Sequence, residues 1–265
     1  MRSRCLGDSM AVYQDKALER VSKGLRKYKS VAQKARANGA QESDTRMIVS
    51  SIVSDALGWD AFDHLTGEFR IKGNYADFVI RKDGKHFIII EVKSVSTNLN
   101  DKHLYQAVSY AANQGVEWVI LTNGAEWRLY RVLFNKPVEH ELVFEVSLLD
   151  ETMKPKDKAE LMYLLTPDAQ RKDELETFYQ RKRALAGSNI AKLLLSESVL
   201  TRLRAEIKAD SGNRVALDEL GQILVDCVIR PEAQGDPVDK QLKRVQKAAK
   251  AAPRKQAAAC APVGE

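Results

Sequence analysis

The chain has 265 residues, 44% of them hydrophobic, and carries a net charge of +6. That length suits one large domain or two modest ones with packed cores. With no apolar run near the ~20 residues of a membrane span and no secretory stretch at the N-terminus, a cytoplasmic protein without a membrane partner is expected.

Residues 1–40 carry ten Lys/Arg against three Asp/Glu. Within them 9–37 read as one long amphipathic helix. Leu18, Val21, Leu25, Tyr28, Ala32 and Ala35 recur at spacings of three and four, and Asn38-Gly39 is a stop signal. The stripe suits two uses, a homodimer seam through 9–37 or packing on the chain's own next domain, and the second is preferred. A second helix is expected over 43–57, with Met47, Ile48, Ile52 and Leu57 on its apolar side and Gly58 at its end. Strands follow near 68–71, 75–81 and 86–93. Asp101 suits an N-cap for a helix running to Gln114. Strands at 117–121, 126–133 and 141–146 complete a mixed α/β core ending near 150. This middle segment, 41–150, is acidic, with 16 Asp/Glu against 11 Lys/Arg. Trp118, Trp127 and Tyr130 fall on its strands and read as core rather than as base-stacking residues.

Lys154 to Lys158, with Pro155, is polar and marks a boundary. Residues 151–230 read as a helical domain, opened by Thr166-Pro167-Asp168 and broken at Gly187-Ser188 and Ser211-Gly212-Asn213. Its own core would come from Leu193, Leu194, Val199, Leu203, Ile207, Leu217, Leu220, Leu224 and Val228. Residues 231–265 form a basic Ala/Lys-rich tail, a weak helix fading into disorder. Basic segments at both ends can hold a phosphate backbone by counterion release, or be solvated helix faces. Cys5, Cys227 and Cys260 lack zinc-ligand spacing. His64, His86, His103 and His140 show no metal-ligand pattern and read as surface or strand residues.

The chemistry gathers between Asn74 and Tyr110. A two-residue Asp83-Gly84 loop would set Asp77 opposite Ile90. A three-residue loop, Asp83-Gly84-Lys85, sets it opposite Glu91 and leaves Ala76, Phe78, Ile80, Ile88, Ile90 and Val92 as a wholly apolar face. Burial therefore selects the register that pairs the two carboxylates. Such a pair repels unless a cation lies between them, and Mg²⁺ is the natural occupant, with Mn²⁺ as a substitute. Lys93 shares the face of Glu91 and could orient a water or stabilise charge on a phosphate. Phosphodiester hydrolysis needs a metal, an activated water and cationic stabilisation. Gln106 and Tyr110, four apart on the next helix, share a face and could bond a phosphate or a site residue.

The order Asp77, Glu91-Val-Lys93, Gln106-x-x-x-Tyr110 resembles the PD-(D/E)XK nuclease superfamily, in its Gln-x-x-x-Tyr branch. Residues 41–133 are similar to the N-terminal cleavage domain of type I restriction enzyme motor subunits and its stand-alone relatives. Leu57-Gly-Trp59, Tyr75-Ala-Asp-Phe-Val79, Ile89-Ile-Glu-Val-Lys93 and Leu121-Thr-Asn-Gly-Ala-Glu-Trp127 carry the likeness. The resemblance implies a restriction-endonuclease-like mixed central sheet flanked by helices, Mg²⁺ at Asp77 and Glu91, and Lys93 in the catalytic role. Gln106 and Tyr110 would be accessory, with a further acidic residue from a preceding element, Glu42 or Glu68. The chain is too short for the helicase motor and holds no Gly-x-x-x-x-Gly-Lys-Ser/Thr loop, so the resemblance implies no translocation.

The leading expectation is a Mg²⁺-dependent DNA nuclease, an endonuclease, in restriction, phage defence or mobile-element maintenance, acting alone or with a partner subunit. The alternative is a non-catalytic nucleic-acid-binding or assembly module on a nuclease-like fold. A purely helical interaction protein would leave the charged constellation without a use.

Overall fold

The computed structural model describes residues 4–71 and 74–251, with side chains over 14–67 and 76–249. Glycine and proline punctuation sets most element ends. Helix α1 runs Arg4–Ala37 and stops at Gly39, whose φ is +63°. Helix α2 (Glu42–Ser51) continues through a π-helical turn, Ile52–Ala56, and ends at Gly58, φ +86°. Then come β1 (Leu65–Ile71), β2 (Asn74–Lys82), β3 (Lys85–Val92), α3 (Asp101–Gln114), β4 (Trp118–Thr122), β5 (Glu126–Leu133) and β6 (Glu139–Ser147). The six strands form one sheet in chain order, antiparallel throughout except that β4 runs parallel to β3 after the α3 crossover. Helices α4 (Pro155–Tyr163), α5 (Pro167–Gln170) and α6 (Glu174–Ala184) follow, then α7 (Gly187–Leu194), α8 (Glu197–Ser211), α9 (Leu217–Ile223) and α10 (Asp236–Ala251). The expected mixed sheet flanked by helices, with an N-terminal helix and helices at the C-terminal end, is the architecture found.

Period-two alternation buries both faces of the sheet. Ile80, Ile88, Ile90, Val92, Trp118, Ile120, Trp127 and Leu129 meet the stripe of α1 (Val21, Leu25, Tyr28) and the α2 side chains Val49, Ile52 and Val53. The α1 stripe is thus used on its own chain. Gly24 permits the approach, because a Cβ there would stand 2.3 Å from Ala56 Cβ. On the other face Val79, Ile89, Val119, Leu121, Tyr130 and Val132 lie under the α3 residues Leu104, Ala107, Val108, Tyr110 and Ala111. Trp118, Trp127 and Tyr130 are core residues, as their strand placement implies. Ala76 departs from the expected apolar face and joins the α3 cluster.

The chain divides into two compact units, Met1–Tyr179 and Gln180–Glu265. The polar stretch before Pro155 is therefore a surface connection within the first unit. Met162, Leu164, Leu165, Leu175 and Tyr179 belong to the sheet's core, and Trp59 Nε1 donates to Leu165 O at 2.7 Å. In the second unit Ala191, Leu195, Leu200, Leu220, Leu224, Ile229, Val238 and Val245 form a separate core. The segment read as a tail contributes α10 to it, because Val238, Leu242 and Val245 keep helical spacing among the lysines and alanines. Residues 252–265, the rest of that expected tail, lie outside the described residues. Among the described residues no helix is long and apolar enough to cross a membrane.

Candidate active site

The β2–β3 hairpin turns on two residues, Asp83 (φ 52°) and Gly84 (φ 73°), with Lys82 opposite Lys85. The three-residue loop expected from the sequence is corrected. Both residues accept positive φ, as a two-residue hairpin of matching twist requires. The register favoured by burial is nonetheless present beyond the tip, with Ile80 opposite Ile88 and Phe78 opposite Ile90, because a bulge between Ile80 and Arg81 shifts the pairing by one residue. Paired contacts stop at Phe78–Ile90, just short of Asp77 and Glu91. There the carboxylate replaces the ladder, Asp77 Oδ2 accepting from the Val92 N–H at 2.8 Å. The strand pairing thus ends beside the two acidic residues.

Lys93 extends β3 by donating its backbone N–H to Thr122 O at 2.8 Å. Its ammonium donates to Glu91 Oε1 at 2.7 Å and lies 3.9 Å from Glu42 Oε2. Asp77 Oδ1 is 3.3 Å from Arg46 Nη1. The α2 start that supplies Glu42 and Arg46 is tied down on both sides. Asp44 accepts from Gln41 N (3.0 Å), Thr45 Oγ1 accepts from Val95 N (3.1 Å), and Ser94 Oγ donates to Ala40 O (3.0 Å). Asp77, Glu91 and Lys93 are thereby brought together with Glu42. The side chain of Glu68, the competing acidic candidate, lies outside the described residues.

The helix cap is Asn100, whose side chain accepts from Lys102 N and His103 N, so the expected N-cap Asp101 is instead the first residue of α3. Gln106 and Tyr110 do share a face, with Gln106 Nε2 donating to Tyr110 Oη at 2.8 Å. Tyr110 is buried in the core below α3 and Gln106 is exposed, so the hydrogen bond seen for the pair is internal to α3.

Glu91 is 2% exposed. Burial above all pushes its carboxyl up to about 7, against the pull of Lys93, with Asp77 and Glu42 adding to the rise. Burial likewise raises Asp77, although the Val92 N–H, Lys93 and Arg46 oppose it. Burial disfavours the Lys93 ammonium, but the Glu91 hydrogen bond and the charges of Glu91, Glu42 and Asp77 together outweigh it and raise its pKa. His103 is lowered by burial first and by the charge of Lys93 second. Two residues therefore feel the site that the sequence does not mark for it: Arg46, and His103, which reads as a surface or strand residue but lies on α3. Arg46 could have been noticed four residues after Glu42, although that spacing reads first as an ordinary helix ion pair. His103 offered no signal beyond lying at the start of α3.

Among the described residues no three His, Cys, Asp or Glu side chains are gathered as a metal-ligand set. The chemistry still fits a hard divalent ion. Glu91 Oε2 is buried with no hydrogen-bond partner, an orphan acceptor beside a second carboxylate. Mg²⁺ takes one or two protein carboxylates and leaves its other positions to water and phosphate.

The mixed sheet thus bears Asp77 on β2 and Glu91-x-Lys93 at the end of β3, followed by a helix and a strand parallel to β3. Residues 64–143 match the family described as the type I restriction enzyme R protein N terminus. That match includes Asp77, Glu91, Lys93, Gln106 and Tyr110 and begins after Glu42 and Arg46. It relates the segment to a nuclease-related domain of enzymes that act on DNA. Comparisons with curated proteins and with solved structures found no match.

Proposed function

We propose that this chain is a Mg²⁺-dependent nuclease that hydrolyses DNA phosphodiester bonds, working as an endonuclease in restriction or phage defence. The observation that carries the reading is the buried Glu91 carboxylate, bonded to Lys93 through one oxygen and orphaned at the other, beside Asp77 where the pairing of β2 with β3 ends. Asp77 and Glu91 would hold the ion. When bound, it supplies the charge that neutralises the phosphate and acidifies an attacking water.

The chain's own groups do the rest. The Val92 N–H fixes one oxygen of Asp77, leaving Oδ1 as the oxygen for the ion. Lys93 keeps its proton, by the shift already described, and places a positive charge where negative charge grows on the phosphate. Glu42, across from Lys93, limits where that ammonium can point. Glu91 and Lys93 are largely withdrawn from water, which strengthens the interaction between them.

Cleavage of circular and linear DNA is the test, with Mg²⁺ or Mn²⁺, comparing wild type with Asp77→Ala. Metal-dependent cutting that disappears in the variant is the expected result. Binding of DNA without cutting in any divalent ion would favour the non-catalytic module instead.

A further inference from the structure

Arg46 stands at the site without a role in the reading above. Glu42 and Arg46 lie one turn apart on α2 and so share a face, the first directed at Lys93 and the second at Asp77. Asp77 Oδ2 is engaged by the Val92 N–H, so Oδ1 is the oxygen left for an ion, and Arg46 Nη1 lies 3.3 Å from it. A guanidinium and a divalent ion cannot share that oxygen closely, since like charges repel. The Arg46 side chain is 32% exposed and that of Asp77 12%, so Arg46 is the more accessible of the two to an arriving DNA strand. Its planar fork of donors matches phosphate oxygens. Bonds from Val95 N to Thr45 Oγ1 and from Ser94 Oγ to Ala40 O hold the start of α2 against the strand end, so Arg46 reaches Asp77 from a fixed helix.

We propose that Arg46 is an exchangeable cation of this centre. It competes with the divalent ion for Asp77 Oδ1, and when the ion takes that oxygen it passes to a non-bridging phosphate oxygen of the bound DNA. The inference rests on the nuclease reading and adds a phosphate-contacting residue from α2. The exchange links ion binding to substrate capture, because the cation displaced from the carboxylate becomes available to the strand.

The test uses the full chain and two readouts besides activity. Mn²⁺ affinity is measured without DNA by calorimetry. Binding of a DNA duplex is measured with Ca²⁺ across a salt series. Arg46→Ala is expected to bind Mn²⁺ about two- to fivefold tighter, the size of a partly exposed ion pair. It should bind duplex roughly tenfold more weakly, as loss of a charge-assisted phosphate bond implies. The slope of log affinity against log salt should fall in magnitude by about 1. Arg46→Lys keeps the charge and should restore the slope while recovering only part of the affinity. Mn²⁺ affinity that is unchanged or weaker in Arg46→Ala overturns the exchange, and so does duplex binding with an unaltered slope. Either would leave Arg46 as a prop for Asp77 while wild-type cleavage still stood. Wild-type protein that neither binds Mn²⁺ nor cuts DNA would remove the nuclease reading as well.

Discussion

Replacing Glu91 with glutamine removes a charge from a side chain that is 2% exposed while keeping its shape. In the folded protein the carboxyl titrates at about 7 because burial penalises its ion, whereas the unfolded chain has the ordinary value of 4.5. Between those two pH values the folded state keeps a proton that the unfolded state has released. Stability therefore falls as pH rises through that window. It is fully present below 4.5 and lost above about 7, a difference of roughly 3 kcal/mol. Glu91→Gln should abolish this component, so the variant gains on wild type by about that amount between pH 4.5 and 8. Urea unfolding in a chelator, followed by tryptophan fluorescence, measures it. Trp59, Trp118 and Trp127 all belong to the first unit, so the signal reports that unit alone. Comparing the two proteins cancels the titrations of groups remote from Glu91. Parallel stability curves for wild type and variant would refute the reasoning, since they would mean that Glu91 ionises without cost.

Gly24→Val tests the close approach of α1 to the turn after α2. With Ala56 Cβ only 2.3 Å from the position of an added Cβ, overpacking should cost about 1–3 kcal/mol by fluorescence-detected unfolding, and a neutral result would deny that contact. Trp59→Phe removes the donor that meets Leu165 O at 2.7 Å and strands a buried carbonyl. The expected loss is again about 1–3 kcal/mol in the same assay, whereas wild-type stability would mean that this bond does not join the segments.

The central sheet was legible because its strands hold short apolar runs, Phe78–Ile80 and Phe87–Ile90, bounded by strong punctuation. The register that sets Ile80 opposite Ile88 and Phe78 opposite Ile90 could be derived from burial alone, yet the route to it could not. A bulge between Ile80 and Arg81 leaves no mark on a polarity pattern, so the expected extra loop residue turned out to lie inside the strand. Helices α4 to α6 read from the sequence as part of the later module, because Pro155 and its lysines look like a linker. Met162, Leu165 and Tyr179 carry no label saying which core they join, and only tertiary contact shows it. Arg46 was hidden by a commonplace spacing. Glu91-x-Lys93 was visible because both residues are charged on an otherwise apolar strand.

Cleavage of supercoiled circular DNA by Lys93→Met measures the central claim most directly. The side chain is 16% exposed and bonded to Glu91 at 2.7 Å, and methionine keeps its length without its charge. The account expects cutting to fall by at least about a hundredfold while the fluorescence-detected fold is retained. Cutting at the wild-type rate by a folded Lys93→Met protein would contradict it.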